Sequence, residues 1–151
     1  MFSRFLLTHL RDTGAALRAF RKLVRPGGLL LLQETARLES SHPALARYYE
    51  LVGQLQAHYG QRLYIGQELE SLAASAPFRI AHSTVQHFEH PAPIMAELHL
   101  QNLRTWRGDA FARQAFDGSE IERLEQILQS IARGSEHAAP VAIGLGELVL
   151  Q

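Results

Sequence analysis

Apolar and polar positions alternate along this chain in a way that names its elements one after another. Asp12 stands where a helix N-cap belongs. Leu17, Phe20, Leu23 and Val24 follow at i, i+3, i+6 and i+7, one apolar stripe. Arg18, Arg21, Lys22 and Arg25 crowd the later turns, where cations suit the negative end of the helix dipole. Pro26-Gly27-Gly28 stops the helix and turns the chain. Leu29 to Leu32 is a continuous apolar run, the pattern of a strand covered on both faces. The spacing predicts a strand over 29–34.

A polar link, TARLESSH, leads to Pro43 at a first helical position. Leu45, Tyr48, Val52, Leu55 and Tyr59 then make a helical stripe that Gly60 ends. Residues 66–76 read as a short helix before Pro77, and 78–88 as a strand carrying Ile80, Thr84, Val85 and Phe88. Pro91 and Pro93 open a second helical stretch with Ile94, Leu98, Leu103 and Trp106. Ser119-Glu120-Ile121-Glu122 matches a capping box, with Ser119 at the N-cap. Ile121, Leu124, Leu128 and Ile131 continue the stripe, and residues 140–150 read as the last strand. Residues 1–10 leave no room for a full strand. Met1 to Phe5 is at most a stub, so the Leu29–Leu32 edge is expected to lack a partner on one side.

At Ser3 to Glu34 the pattern becomes specific. R-x-L-L-x-H-L-x-D, a helix with L-x-x-F-x-x-L-V, and R-P-G-G-L-L-L-L-x-E together resemble class I S-adenosylmethionine-dependent methyltransferases. In that family the stretch covers the end of the fourth strand, the next helix and the fifth strand. The resemblance implies an α/β fold, a partial Rossmann-like sheet of strands 29–34, 78–88 and 140–150. The last strand would be antiparallel and central. Residues 35–65 and 90–138 would be helical insertions in a single domain spanning 1–151. The family's glycine-rich loop and the acid ending its second strand have no counterpart here. The chain therefore matches the C-terminal half of such an enzyme.

The implied cofactor is S-adenosylmethionine, and the implied reaction is methyl transfer to a small molecule. By resemblance, Ser3, Arg4 and His9 would approach the cofactor. Glu34 and His9 are the candidates for acid–base work, Glu34 because ligands of open α/β sheets bind beyond the carboxyl ends of strands. The other reading of Glu34 is an ion pair with Arg37. Glu34, Tyr48, His58, Tyr59, His99 and Trp106 are the candidate substrate pocket. For Tyr48, His58 and Tyr59 the alternative is a packed amphipathic helix. For His99 and Trp106 it is a helix or dimer contact. With half the cofactor contacts absent, weak cofactor binding and little activity are expected of this chain alone. The alternative function is a non-catalytic interaction or dimerisation module derived from a methyltransferase. The expected partner is a second copy or a complementing N-terminal half.

Composition narrows this further. Fifteen basic and fifteen acidic side chains cancel, so no bulk field draws a nucleic acid. The chain has no cysteine, which excludes disulfides, thiolate metal sites and cysteine nucleophiles and fits a cytoplasmic protein. The apolar residues near the N-terminus are interrupted too soon for a membrane span. His82, His87 and His90 are badly spaced for a metal: an odd step along a strand puts 82 and 87 on opposite faces. Gly144-x-Gly146 lacks the third glycine and following helix of a dinucleotide motif.

Overall fold

The computed structural model describes residues 1–74 and 76–151. Its strands are β1 (Phe2–Arg4), β2 (Leu30–Glu39), β3 (Ile80–His90) and β4 (Val141–Leu150). Its helices are α1 (Thr13–Leu23), α2 (Pro43–His58), α3 (Leu69–Ala74), α4 (Ala92–Trp106), α5 (Ala110–Ala115) and α6 (Gly118–Ala132). Short 3-10 turns occupy Leu7–His9 and Ile65–Gln67. The chain forms two compact units: residues 1–37, 59–88 and 143–151, and residues 38–58 and 89–142.

The first unit holds the sheet. Its order is β1-β2-β4-β3, so the last strand inserts between two earlier ones. β1 and β2 are parallel, with Phe2 opposite Leu31, Ser3 opposite Leu32 and Arg4 opposite Gln33. Arg79 and Gln151 exchange both main-chain hydrogen bonds at 2.8 Å, the mark of an antiparallel pair. On the other side, Gln33 Nε2 reaches Glu147 Oε2 at 2.6 Å, and Gly144 lies against Arg37. Those partners also run in opposite directions. β4 is thus central and antiparallel, as the resemblance implied.

Leu30, Leu32, Leu148 and Leu150 point to one face and pack with Leu7, Leu17, Ile65 and Leu69 of the helical segments. Asp12 caps α1, accepting from Ala15 N–H at 2.7 Å. Several expectations are corrected. β2 runs on to Glu39, because the polar link after Glu34 keeps the alternation of a strand. Leu23 is 73% exposed and Ile80 39%, so neither belongs to the core. Leu23 lies six residues after Leu17, about 240° round the helix, so it faces away while Val24, one residue on, is buried in the core. Residues 66–76 divide into a 3-10 turn and α3, with Ser75 outside the described residues. The Leu29–Leu32 edge is not open: Met1 C=O accepts from Leu31 N–H at 3.0 Å, and Phe5 N–H donates to Gln33. Three residues suffice for β1 because a parallel ladder needs only one bond every second residue.

The second unit is helical. α4 packs on α6, and α2 packs on α5 and α6. Leu45, Leu51, Leu103, Leu128 and Ile131 are fully buried. The N-cap of α6 is Asp117, which accepts from Ser119 N–H and O–H. Ser119 is therefore the second helical residue and not the cap. Asp wins because its carboxylate sits one residue before the helix, where it can accept from the free N–H groups. Among the described residues no helix is long and apolar enough to cross a membrane, and no group of side chains could hold a metal ion.

Candidate functional site

In the first unit the site is built where β1 ends. Phe5 takes φ +52°, a left-handed conformation that costs a bulky residue energy. That kink turns the chain into the 3-10 turn Leu7–His9 and aims its first N–H groups back at the sheet. Glu34 receives them. Its Oε1 accepts from Leu6 N–H at 2.9 Å and Leu7 N–H at 2.7 Å. Glu34 is fully buried. Burial raises its pKa above the ordinary value, opposed by the N–H groups of Leu7, Leu6 and Thr8 and then by the charge of His9. Its Oε2 is buried with no hydrogen-bond partner. Glu34 does not pair with Arg37: an odd step along β2 sends Arg37 to the opposite face.

The turn Ile65–Gln67 closes over the same place. A Cβ on Gly66 would lie 2.4 Å from Glu34 O, and one on Gly146 would lie 2.3 Å from Gly66 O. Only glycines let these backbones meet. Gln67 Nε2 ties the turn to Ala36 O at 2.6 Å. Arg62 braces the other side, since Thr8 Oγ1 donates to its carbonyl at 2.7 Å and its guanidinium donates to Thr13 Oγ1 at 2.9 Å.

The remaining expected residues of this unit take different positions. Ser3 is buried on the core face with its Oγ unpartnered. Arg4 is exposed and its guanidinium stands over the Phe5 ring at 4.6 Å. His9 is exposed. The Tyr59 carbonyl accepts from Arg11 at 2.9 Å.

In the second unit three expected residues come together. The His99 ring stacks on Tyr48 with centroids 4.4 Å apart, and Trp106 lies 6.4 Å from Tyr48. His99 Nε2 shares a hydrogen bond with Tyr49 Oη at 3.0 Å, while Nδ1 is buried without a partner. Burial lowers the His99 pKa to about 4, so the ring is neutral at pH 7. Burial raises the Tyr48 phenol, against hydrogen bonding from Trp106 and Asn102. His58 stacks instead on Phe111 at 3.9 Å. An open cavity of about 480 Å³ is lined by Trp106, Arg113, Phe116, Ile121 and Glu122 among others. Tyr48 and His99 are buried and do not line it.

Sequence reasoning missed the N–H donors of Leu6 and Leu7, the Gly66–Gly146 contact and Tyr49 Oη. Main-chain donors leave no trace in side-chain pattern. Gly144 and Gly146 inside a strand are the signal that could have found a close backbone approach, though not its partner.

No family model matches the chain, and no curated protein matches it significantly. Solved structures do. A Bacillus halodurans C-125 protein with a methyltransferase designation superposes over 99% of this chain at TM-score 0.51 and 10% identity. The chain carries part of a methyltransferase fold. It spans 62% of that protein's length. A mycolic acid cyclopropane synthase solved with SAH and CTAB aligns over 99% of this chain and 54% of its own, at 17% identity and TM-score 0.49. A Haemonchus contortus phosphoethanolamine N-methyltransferase aligns over 99% and 32%, at 17% identity and TM-score 0.40. The fold assignment rests on the first of these and on the strand order.

Proposed function

We propose that this chain is part of an S-adenosylmethionine-dependent enzyme that methylates a small molecule. The observation that carries the reading is the sheet order β1-β2-β4-β3 with a central antiparallel β4. The segment after β1 then lies at the carboxyl end of that strand, beside Glu34 of β2, and ligands of open α/β sheets bind beyond the carboxyl ends of strands.

The residues here fit part of the cofactor. Exposed Phe5 and Leu6 offer apolar surface for a base ring, and exposed Arg4 offers a cation for a carboxylate. Glu34 is turned inward onto Leu6 and Leu7, so it holds the shape of the turn and does not reach outward. Among residues 1–10 there is no carboxylate for the ribose hydroxyls. When bound, the cofactor supplies an electrophilic methyl group. This chain's own contribution is to place the Arg4–His9 segment and keep it rigid. Alignment of donor and acceptor is the larger part of such catalysis.

The second reading is an interaction module without catalysis. The inward closure of Glu34 favours it, since that candidate acid–base group lacks an open side, although His9 is exposed. Calorimetry with S-adenosylmethionine tests the proposal. Binding weaker than millimolar is expected for this chain alone. Micromolar affinity would contradict a partial site.

A further inference from the structure

We propose that the cavity of the second unit binds a small zwitterion with an apolar, ring-bearing body, its anionic end held by Arg113 and its cationic end by Glu122. The cavity has a volume of about 480 Å³, inside the range of small-molecule sites, about 300–1,000 Å³. Its walls come from residues 106–122, one continuous stretch of the second unit. That stretch alone builds its shape.

Two aspartates set that shape. Asp109 caps α5, accepting from Phe111 N–H at 2.9 Å and Ala112 N–H at 3.2 Å. Asp117 caps α6, accepting from Ser119 N–H at 2.8 Å. Gly108 precedes the first cap and Gly118 follows the second. Both line the cavity, and a Cβ on either would meet nothing within 4 Å. The two turns therefore leave the space open. Between the caps, α5 buries Ala112, Phe116 follows it inward, and Arg113 stays exposed. Trp106 and Phe116 meet edge to face with centroids 6.0 Å apart, and Phe111 braces Phe116 at 5.7 Å. The result is a fixed aromatic floor, which Ile121 of α6 extends.

The charges around the floor name the ligand class. On α6, Glu120 pairs with Arg47 at 2.7 Å, and Glu125 pairs with Arg104 and Arg107. Arg107, the second cation at the cavity, is thereby neutralised. Arg113 and Glu122 line the same cavity. Among the described residues neither has a hydrogen-bond or ion-pair partner, the other included. One unpaired charge of each sign beside an aromatic floor matches a ligand of zero net charge that carries both. A guanidinium takes a carboxylate through its fork of N–H donors. Glu122 accepts from an ammonium, and the ring face of Trp106 favours a cation further. A ligand with a single charge satisfies one end and leaves the other to water. This inference is independent of the cofactor reading, which concerns the first unit.

Trp106 is the chain's single tryptophan and lines the cavity. Its fluorescence therefore reports occupancy of this site in the whole 151-residue chain. Three probes share one ring and differ in charge: L-phenylalanine, phenethylamine and 3-phenylpropionate. L-Phenylalanine is expected to change the Trp106 emission saturably, with a Kd on the order of millimolar. The two singly charged probes should bind about fivefold more weakly, the upper range for one exposed charge pair. Arg113→Gln should erase the preference for L-phenylalanine over phenethylamine, and Glu122→Gln the preference over 3-phenylpropionate. Both side chains are exposed, and neither substitution removes a contact of the fold. Amide NMR shifts should fall on residues 106–122. Emission unmoved by L-phenylalanine up to about fifty millimolar would overturn the proposal. So would equal binding of the three probes, or a preference that both variants leave unchanged.

Discussion

The carboxylate of Glu34 accepts the main-chain N–H of Leu7 at 2.7 Å, across 27 positions of sequence. That one bond ties the end of β1 to the middle of β2. Buried polar groups are costly unless paired, and here a strand carboxylate pairs with the free donors of a short turn. Glu34→Ala leaves the buried Leu7 N–H without an acceptor. A denaturant melt should show a loss of about 1–3 kcal/mol.

The same group sets a pH dependence. Burial raises the folded pKa of Glu34 above its ordinary 4.5. The folded state therefore holds this proton more tightly than the unfolded state does. Its contribution is complete below pH 4.5 and is lost as pH rises through the raised value. Glu34→Gln keeps an acceptor for Leu7 but cannot titrate. Melts above pH 4.5 should show a flatter pH slope for Glu34→Gln than for the wild type.

His99 acts in the opposite direction. Burial depresses it from 6.5 to about 4. Its contribution is present above pH 6.5 and is lost as pH falls toward 4, by roughly 3 kcal/mol at most. His99→Phe should abolish this acid sensitivity. An NMR titration in which His99 ionises near 6.5 would contradict the placement of its ring against Tyr48.

Two glycines should separate cleanly. Gly66→Ala drives a methyl group to within 2.4 Å of a main-chain oxygen that cannot move aside. A loss of about 1–3 kcal/mol is expected, as for other overpacked sites. Gly108→Ala meets nothing within 4 Å and should melt within about 0.5 kcal/mol of the wild type.

Core membership gives a second contrast, on β2 against α1. Leu30→Ala empties a fully buried position and should cost about 2–5 kcal/mol. Leu23→Ala should cost under about 0.5 kcal/mol, because Leu23 is 73% exposed. Both are read from urea midpoints.

These contrasts mark what was legible in the sequence. Local signals were readable: the Asp12 cap, the Pro-Gly-Gly turn and the apolar run of β2 each depend on neighbours. The position of β4 was readable only through the family resemblance, because strand order is not a local property. Leu23 misled because an i+6 step from Leu17 falls about 240° round the helix, off the face that Leu17, Phe20 and Val24 share. Ser119 misled because Asp117, two residues earlier, is an equally good cap closer to the helix start. Glu34 was readable as a carboxylate on a buried strand. Its partners are main-chain N–H groups of leucines, which no side-chain pattern records. The Tyr48–His99–Trp106 cluster was visible as helical spacing. Its burial depended on how α4 meets α2, which spacing alone does not give.

The central claim is that the segment following β1 forms part of a cofactor surface that the chain alone does not complete. An amide-resolved NMR titration with S-adenosylhomocysteine tests this most directly. The account predicts progressive, unsaturated shifts confined to the Arg4–His9 amides up to millimolar ligand. Saturation at micromolar ligand, or no shift in that segment while others move, would contradict it.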